Sequence, residues 1–405
     1  MITVITSIAV FASIIMILTF ALILAEKKLV PQGNVKILIN DEKTVEVPAG
    51  GTLLTALANE KIFIPSACGG GGTCAMCKCK VFEGGGDILP TETGHISRGE
   101  AKQGQRLACQ VKVRENMNIA VPDEIFSIKR YTGTVESNDN VASFIKATNV
   151  TIDDGEILNF KAGGYIQWEV PPGTYRSKDF TVNEEYREAW DNFKMWDYEV
   201  TVPEGTIRAY SMANHPAEGN KVMTTIRFAN PPPRSEGIPP GMCSSWIFTL
   251  KEGDKVTFSG PYGEFFINED SDKEMVYIGG GAGMAPMRSH IFHLFHTEKT
   301  NRKVNFFYGA RSLKENFYMQ DFLDIEKDFE NFKYTLALSD AQPEDNWEGP
   351  TGFIHQVALD NYLKDHEDPT EIEYYLCGPP MMIDAVVDML HELGVEDENI
   401  RFDKF

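Results

Sequence analysis

Cys68, Cys74, Cys77 and Cys79 crowd into the single run CGGGGTCAMCKC, and Cys109 follows 32 positions after Cys77 in RLACQVKV. With five of seven cysteines placed in this way, the loop is committed to holding something. A zinc ribbon needs two CxxC pairs, and only Cys74–Cys77 is present. Disulfides are disfavoured by the reducing compartment implied further below. The glycines are more specific. An iron–sulfur cluster carries negative charge and sulfides that draw backbone N–H groups, so its loop needs residues free to take φ > 0 and approach closely. Gly69, Gly70, Gly71 and Gly72 supply that freedom.

The spacing resembles that of plant-type [2Fe–2S] ferredoxins, C-x4-C-x2-C followed by a distant cysteine, with one extra residue in the first gap here. The resemblance implies Cys68, Cys74, Cys77 and Cys109 as the metal ligands and leaves Cys79 pointing elsewhere. Around them, VKILIN (35–40) and TVEVP (44–48) predict a hairpin through residues 41–43, and TLLTALANEKI (52–62) predicts a helix. The expectation is a β-grasp-like domain over residues 33–128.

Residues 1–25 carry no charged side chain, and as a helix they reach ~37 Å at ~1.5 Å per residue, enough to span a membrane. A transmembrane anchor over residues 1–28 fits better than a signal peptide, because a basic n-region is missing. Lys27 and Lys28 directly after the span place the rest of the chain in the cytoplasm by the positive-inside rule.

Beyond Lys129 and Arg130, the segments 131–138, 141–152 and 221–230 alternate as antiparallel strands do, predicting a small β-barrel over residues 129–268, with residues 259–266 closing it. Within it, Arg208-Ala209-Tyr210-Ser211 matches the R-x-Y-S element of the ferredoxin–NADP reductase superfamily. That resemblance implies Arg208 on the FAD pyrophosphate, Tyr210 against the isoalloxazine and Ser211 near flavin N5, roles that suit a guanidinium fork, a flat ring and a small donor. Gly241, Cys243, Ser244 and Ser245 precede a short apolar helix, a natural pyrophosphate cradle whose plainer alternative is a serine N-cap.

EMVYIGGGAGMAPMRSHIFHLF (274–295) reads as a buried strand, a glycine turn and a helix, the phosphate-binding logic of an α/β sheet. Gly279, Gly280, Gly281 and Gly283, leading into Met284-Ala285-Pro286, match the nucleotide domain of the same superfamily over residues 269–405. Residues 304–311, 333–339 and 373–380 predict further parallel strands. The last delivers Cys377, Gly378 and Pro379; the resemblance puts Cys377 beside the nicotinamide, against the plainer reading of a buried small side chain. It also implies that Phe405, or failing that Phe402, covers the flavin face, the alternative being a frayed tail. Catalytic expectation therefore rests on Ser211, Cys377 and Phe405. Hydride transfer needs positioning, not an acid/base dyad.

Arranged as anchor, [2Fe–2S] domain, FAD barrel and nucleotide domain, the whole chain resembles the F subunits of bacterial sodium-translocating NADH:quinone reductases, through CGGGGTC, RAYSMAN, GGGAGMAPMRS, LCGPPMM and the terminal Phe. This implies a flavin and iron–sulfur enzyme at the bacterial inner membrane. NADH, FAD and [2Fe–2S] carry electrons in that order to partner subunits and finally quinone. One apolar helix offers sodium no polar path, so ion transport belongs to the partners. The rivals are the reductase component of a multicomponent oxygenase, which normally lacks an anchor, and a membrane-tethered carrier without enzymatic activity.

Net charge sharpens this picture. The formal −21 repels nucleic-acid phosphates and excludes a polynucleotide partner. Residues 31–128 balance ten basic against eleven acidic side chains, so the excess falls after residue 128. Two questions stay open. Arg311 and Lys314 are long enough to reach a 2′-phosphate, whereas Glu315 and Asp321 repel one; NADH follows from the resemblance alone. The aromatic-rich stretch 165–204, with Trp168, Tyr175, Phe180, Tyr186, Trp190, Phe193, Trp196 and Tyr198, predicts either a docking surface for membrane partners or packing over the adenine end of FAD.

Overall fold

The computed structural model describes residues 11–20, 33–232 and 237–404. Residues 11–20 are helical, with apolar side chains such as Phe11, Ile17 and Phe20 exposed. Among the described residues, no helix is long and apolar enough to cross a membrane, and the rest of the expected anchor lies outside them. The chain divides into two compact units, residues 1–128 and 129–405.

In the first unit, β1 (Asn34–Ile39) and β2 (Lys43–Pro48) form the expected hairpin. Asn40 and Asp41 turn the chain at φ 52° and 57°, the left-handed pair that matches strand twist. The helix Leu53–Asn59 follows, with the Thr52 side chain accepting from the Thr55 N–H. Three strands complete the sheet: β3 (Lys78–Glu83), β4 (Gln105–Leu107) and β5 (Met117–Ala120). The order is β2-β1-β5-β3-β4, with β1 and β5 parallel, a β-grasp arrangement. Ile37, Ile39, Val45 and Val47 alternate inward along the strands and are buried, as are Leu53 and Leu57 of the helix.

The second unit begins with a six-stranded antiparallel barrel. Its strands are β6 (Lys129–Ala142), β7 (Ile145–Ile152), β8 (Tyr165–Val170), β11 (Thr206–Ser211), β12 (Lys221–Arg227) and β13 (Lys255–Tyr262), in the order β11-β8-β13-β6-β7-β12. Closure differs from expectation. Residues 255–262 lie in the middle of the sheet, and the end strands meet instead through the Met212–Thr224 bridge, because β13 pairs with both β6 and β8.

Between β8 and β11, the short antiparallel pair β9 (Gly173–Arg176) and β10 (Glu199–Val202) brackets the helix Glu184–Asn192. The aromatic side chains here mostly face inward. Phe180 and Trp190 are buried against Phe228 and Phe248, with ring centroids 5.4 to 5.8 Å apart, and Trp168 belongs to the barrel core beside Trp246 and Phe258. Phe193 is exposed. Aromatic content therefore carries no argument for docking, since these rings form a core that braces the helix Met242–Thr249, on which Phe248 sits.

A five-stranded parallel sheet ends the chain: β14 (Met275–Gly280), β15 (Val304–Ala310), β16 (Phe332–Leu338), β17 (Glu373–Gly378) and β18 (Ile400–Lys404), ordered β16-β15-β14-β17-β18. Every residue of β14 and β17 is buried, as a sheet covered on both faces requires. Residues Ile400–Lys404 lie in the sheet, pairing Cys377 with Asp403 in register.

Candidate functional site

In the first unit the thiols come together as two pairs. Cys68 Sγ lies 3.4 Å from Cys74 Sγ, and Cys77 is hydrogen-bonded to Cys109. None is in a disulfide. Burial pushes the Cys68 thiol up, but N–H groups of Thr73 and Cys74 outweigh it and draw the value to about 6. Cys109 is also drawn to about 6, first by the bond from Cys77 and further by the Gln110 amide and the Gly72 N–H; that same bond pushes Cys77 up. No three His, Cys, Asp or Glu side chains converge on one point among the described residues. Two pairs rather than one tetrad suit a centre that shares four thiolates between two irons. The donor chemistry and the N–H cradle for anionic sulfur fit a [2Fe–2S] cluster. Cys79 is buried apart from them, near Arg106 and Glu92, and burial raises its thiol to about 12.

In the second unit, Arg208, Tyr210 and Ser211 lie on β11. The Arg208 guanidinium is steadied by Thr206 Oγ1 and the Ile207 carbonyl, both at 2.7 Å. Tyr210 and Cys243 are hydrogen-bonded; burial pushes the Tyr210 hydroxyl well up and the Cys243 thiol to about 12, so both stay neutral. Gly241 caps the helix Met242–Thr249. Its serines divide the work: Ser244 Oγ donates to the Gly241 carbonyl and accepts from the Ala229 N–H, both at 3.1 Å, whereas the buried Ser245 Oγ has no protein partner. An unpartnered hydroxyl in the first turn of a helix, with Arg208 near the neighbouring Cys243, suits a pyrophosphate, which supports the fit of FAD.

On the nucleotide side, Gly279 and Gly280 end β14, and Gly281 and Gly283 form the turn into the helix Met284–Phe292. Gly283 must be glycine: a Cβ there would stand 2.2 Å from the Cys377 carbonyl oxygen, so a side chain would prise the helix off β17. Cys377 and Gly378 end β17, and Pro379 caps the helix Pro380–Glu392. Phe405 lies outside the described residues, and Phe402 is half exposed.

A residue the sequence reading passed over joins the two sides. Asp403 accepts a hydrogen bond from Ser211 Oγ at 3.0 Å and lies beside the buried Cys377. Burial holds its carboxyl above the ordinary 3.8, although the Ser211 hydroxyl partly offsets this. Its only trace in the sequence is a lone acid between Phe402 and Lys404. Arg288 locks the same junction. It is buried, donates to the Ala213 carbonyl at 2.8 Å, pairs with Glu218 at 3.3 Å and Asp321 at 3.6 Å, and stands 3.9 Å over the Phe292 ring. Ser289 Oγ adds a bond to the Asn214 carbonyl at 2.7 Å.

Of the four charged residues weighed for nucleotide choice, three are engaged by other elements. Lys314 lies over the Tyr186 ring, Glu315 receives bonds from Ser143, and Asp321 faces Arg288. Arg311 stays at the strand end, paired with Asp340 at 3.1 Å.

Comparison with known proteins gives three matches along the chain: a 2Fe-2S iron-sulfur cluster binding domain over residues 37–114, an oxidoreductase FAD-binding domain over 195–267 and an oxidoreductase NAD-binding domain over 277–388. Among solved structures, a cytochrome P450 reductase of Amycolatopsis matches with TM-score 0.63 at 24% identity, covering 92% of this chain and 98% of that one. A ferredoxin reductase in carbazole 1,9a-dioxygenase matches with TM-score 0.61 at 25% identity over the same shares. Relatives of far higher identity are the F subunits of two Na(+)-translocating NADH-quinone reductases. That of Pseudomonas aeruginosa is 55% identical over 98% of both chains, and that of Neisseria meningitidis is 54% identical over 99% of both. The chain therefore belongs to the family of Na(+)-translocating NADH-quinone reductase F subunits.

Proposed function

We propose that this chain is the electron-input subunit of a sodium-translocating NADH:quinone reductase, taking a hydride from NADH and releasing electrons one at a time toward partner subunits and quinone. The observation that carries the proposal is the meeting of Ser211 on the barrel with Cys377 and Asp403 on the nucleotide sheet, where flavin and nicotinamide would face each other. When bound, FAD converts the electron pair of NADH into single electrons that the [2Fe–2S] cluster can accept.

The protein's part is positioning. Arg208 and Ser245 are suited to hold the FAD pyrophosphate, with the Gly241-capped helix end supplying N–H groups. Tyr210 offers its ring to the isoalloxazine, and Ser211 presents a hydroxyl fixed in direction by Asp403. The glycine turn 279–283 gives the nucleotide pyrophosphate room to approach the helix end. Arg288 keeps the barrel and the sheet at a fixed separation, on which hydride transfer depends steeply. The Arg311–Asp340 pair favours NADH, because Asp340 repels a 2′-phosphate and neutralises the cation that would bind it. Cys68, Cys74, Cys77 and Cys109 would hold the cluster, which would supply one-electron transfer there. Phe405, or failing that Phe402, is the aromatic that would cover the flavin face, and Phe405 lies outside the described residues.

The same reading divides the chain into an anchor at 1–28 and domains at 33–128, 129–268 and 269–405. The uncharged residues 1–25 tether it to the inner membrane, with the remainder in the cytoplasm. Purified full-length protein should show flavin and iron–sulfur absorbance and reduce an artificial acceptor with NADH. Protein lacking both signals and that activity would overturn the assignment, and pull-down from membranes would identify the acceptor subunits.

A further inference from the structure

The Cys109 sulfur has a neighbour to which no role has been given. Gln110 Nε2 lies 3.4 Å from Cys109 Sγ, and Gln110 Oε1 accepts from Thr91 Oγ1 at 2.9 Å. The two contacts fix the amide's orientation. A thiolate sulfur only accepts, so the NH₂ group must face it, and the carbonyl is left for the threonine hydroxyl.

Two further features hold this arrangement in place. At Gly72, φ is +76°, and a Cβ would stand 2.7 Å from Gln110 Nε2, so the glycine makes the space the amide occupies. Thr91 sits on a loop stapled by its neighbour. Glu92 is fully buried, and its carboxylate receives the Arg106 guanidinium at 2.8 to 3.2 Å and the N–H groups of Leu89 and Leu107, each at 2.9 Å. Arg106 also donates to the carbonyls of Gly85, Gly86 and Asp87. Residues 91–92 and 106–110 are thus cross-linked twice: through a buried ion pair, and through the Thr91–Gln110 bond that ends on sulfur.

We propose that Gln110 is a positioning residue that raises the reduction potential of the [2Fe–2S] centre by donating an N–H bond to the ligand sulfur of Cys109, with Thr91 holding the amide in place. The inference rests on the cluster assignment above. Reduction adds negative charge to the centre, and a hydrogen bond to a ligand sulfur stabilises that charge more than the oxidised form. Removing the donor therefore lowers the potential.

The test is an EPR-monitored redox titration of the full chain with its cluster. Gln110→Met keeps side-chain length without a donor, and its midpoint moves to lower potential; a tenfold weaker preference for the reduced form corresponds to ~59 mV for one electron. Thr91→Val moves the midpoint the same way by less, and Thr91→Ser restores it. The flavin midpoint, read on the same samples, stays where it is. A Gln110→Met midpoint equal to or above wild type overturns the proposal. Should that variant lose its cluster, the threonine pair decides, and equal midpoints for Thr91→Val and Thr91→Ser overturn it. Wild-type protein with no cluster signal would overturn the underlying assignment instead.

Discussion

Ser211 Oγ stands 3.0 Å from Asp403 Oδ2, a bond that crosses 192 positions of sequence and ties a barrel strand to the edge strand of the nucleotide sheet. The hydroxyl's single hydrogen is held on the carboxylate in this arrangement. Ser211→Ala removes a hydroxyl that must turn from Asp403 to donate to a bound flavin, and flavin reduction by NADH should slow by on the order of 10²-fold with little change in NADH affinity. Stopped-flow measurement of flavin bleaching checks this; an unchanged rate would remove Ser211 from the reaction.

Asp403 makes a pH prediction whose sign follows from its raised value. A carboxyl with a folded pKa above its unfolded one favours the fold fully below the unfolded value, and that contribution is lost as pH rises through the folded one. Near neutral pH the buried charge is a cost. Asp403→Asn should raise the melting temperature at neutral pH and leave it nearly unchanged near pH 4, as thermal denaturation at the two pH values would read.

The cysteines separate cleanly. Cys68→Ala and Cys109→Ala should abolish the iron–sulfur EPR signal while FAD content and NADH-driven flavin reduction persist, because these thiols lie in a different compact unit from Ser211 and Cys377. Cys79→Ala should keep the signal and cost about 1 kcal/mol of stability. Loss of the cluster in that variant would show that the wrong four ligands were chosen.

Nucleotide choice should respond to Asp340. Asp340→Ser leaves Arg311 without its partner and removes the repulsion, and at ~1 kcal/mol for a charge pair in water the kcat/KM ratio of NADPH to NADH should rise about five- to tenfold. Steady-state kinetics with both nucleotides decides this, and an unmoved ratio would place the discrimination elsewhere.

Breaking the buried Glu92–Arg106 pair should destabilise the first unit by about 3–5 kcal/mol, since Arg106→Leu strands a carboxylate with no exposure. Burial pushes Glu92 up, but Arg106 and the N–H groups of Leu107 and Leu89 hold it below the ordinary 4.5. Its contribution is therefore present above about pH 4.5 and fades as pH falls through the lower folded value. Acid titration of wild type, followed through the cluster signal, should show that loss.

Much of this was legible in the sequence because it is local. Alternating apolar residues gave the strands, and the glycine loop, RAYS and GGGAG are the contiguous letters on which the proposed cofactor cradles rest. What escaped depends on chain segments that meet only after folding. Asp403 gains its place from the Cys377 register, Arg288 from facing Ala213 and Glu218, and Gln110 from Thr91 nineteen positions away. The aromatic stretch stayed open between two readings for a related reason: composition shows that rings are abundant but not that Trp190 turns inward onto Phe228 and Phe248.

The two thiol pairs differ in a way that bears on damage and repair. Cys68 and Cys74 are half exposed and close in sequence, whereas Cys77 and Cys109 are buried and joined only by the finished fold. Should iron be lost in air, the outer pair stands ready to oxidise into a disulfide, giving up two electrons and two protons to the oxidant, while the inner pair is shielded. Injury would then begin at the open loop, and a cell restoring the protein would have to reduce Cys68 and Cys74 before iron and sulfide could return.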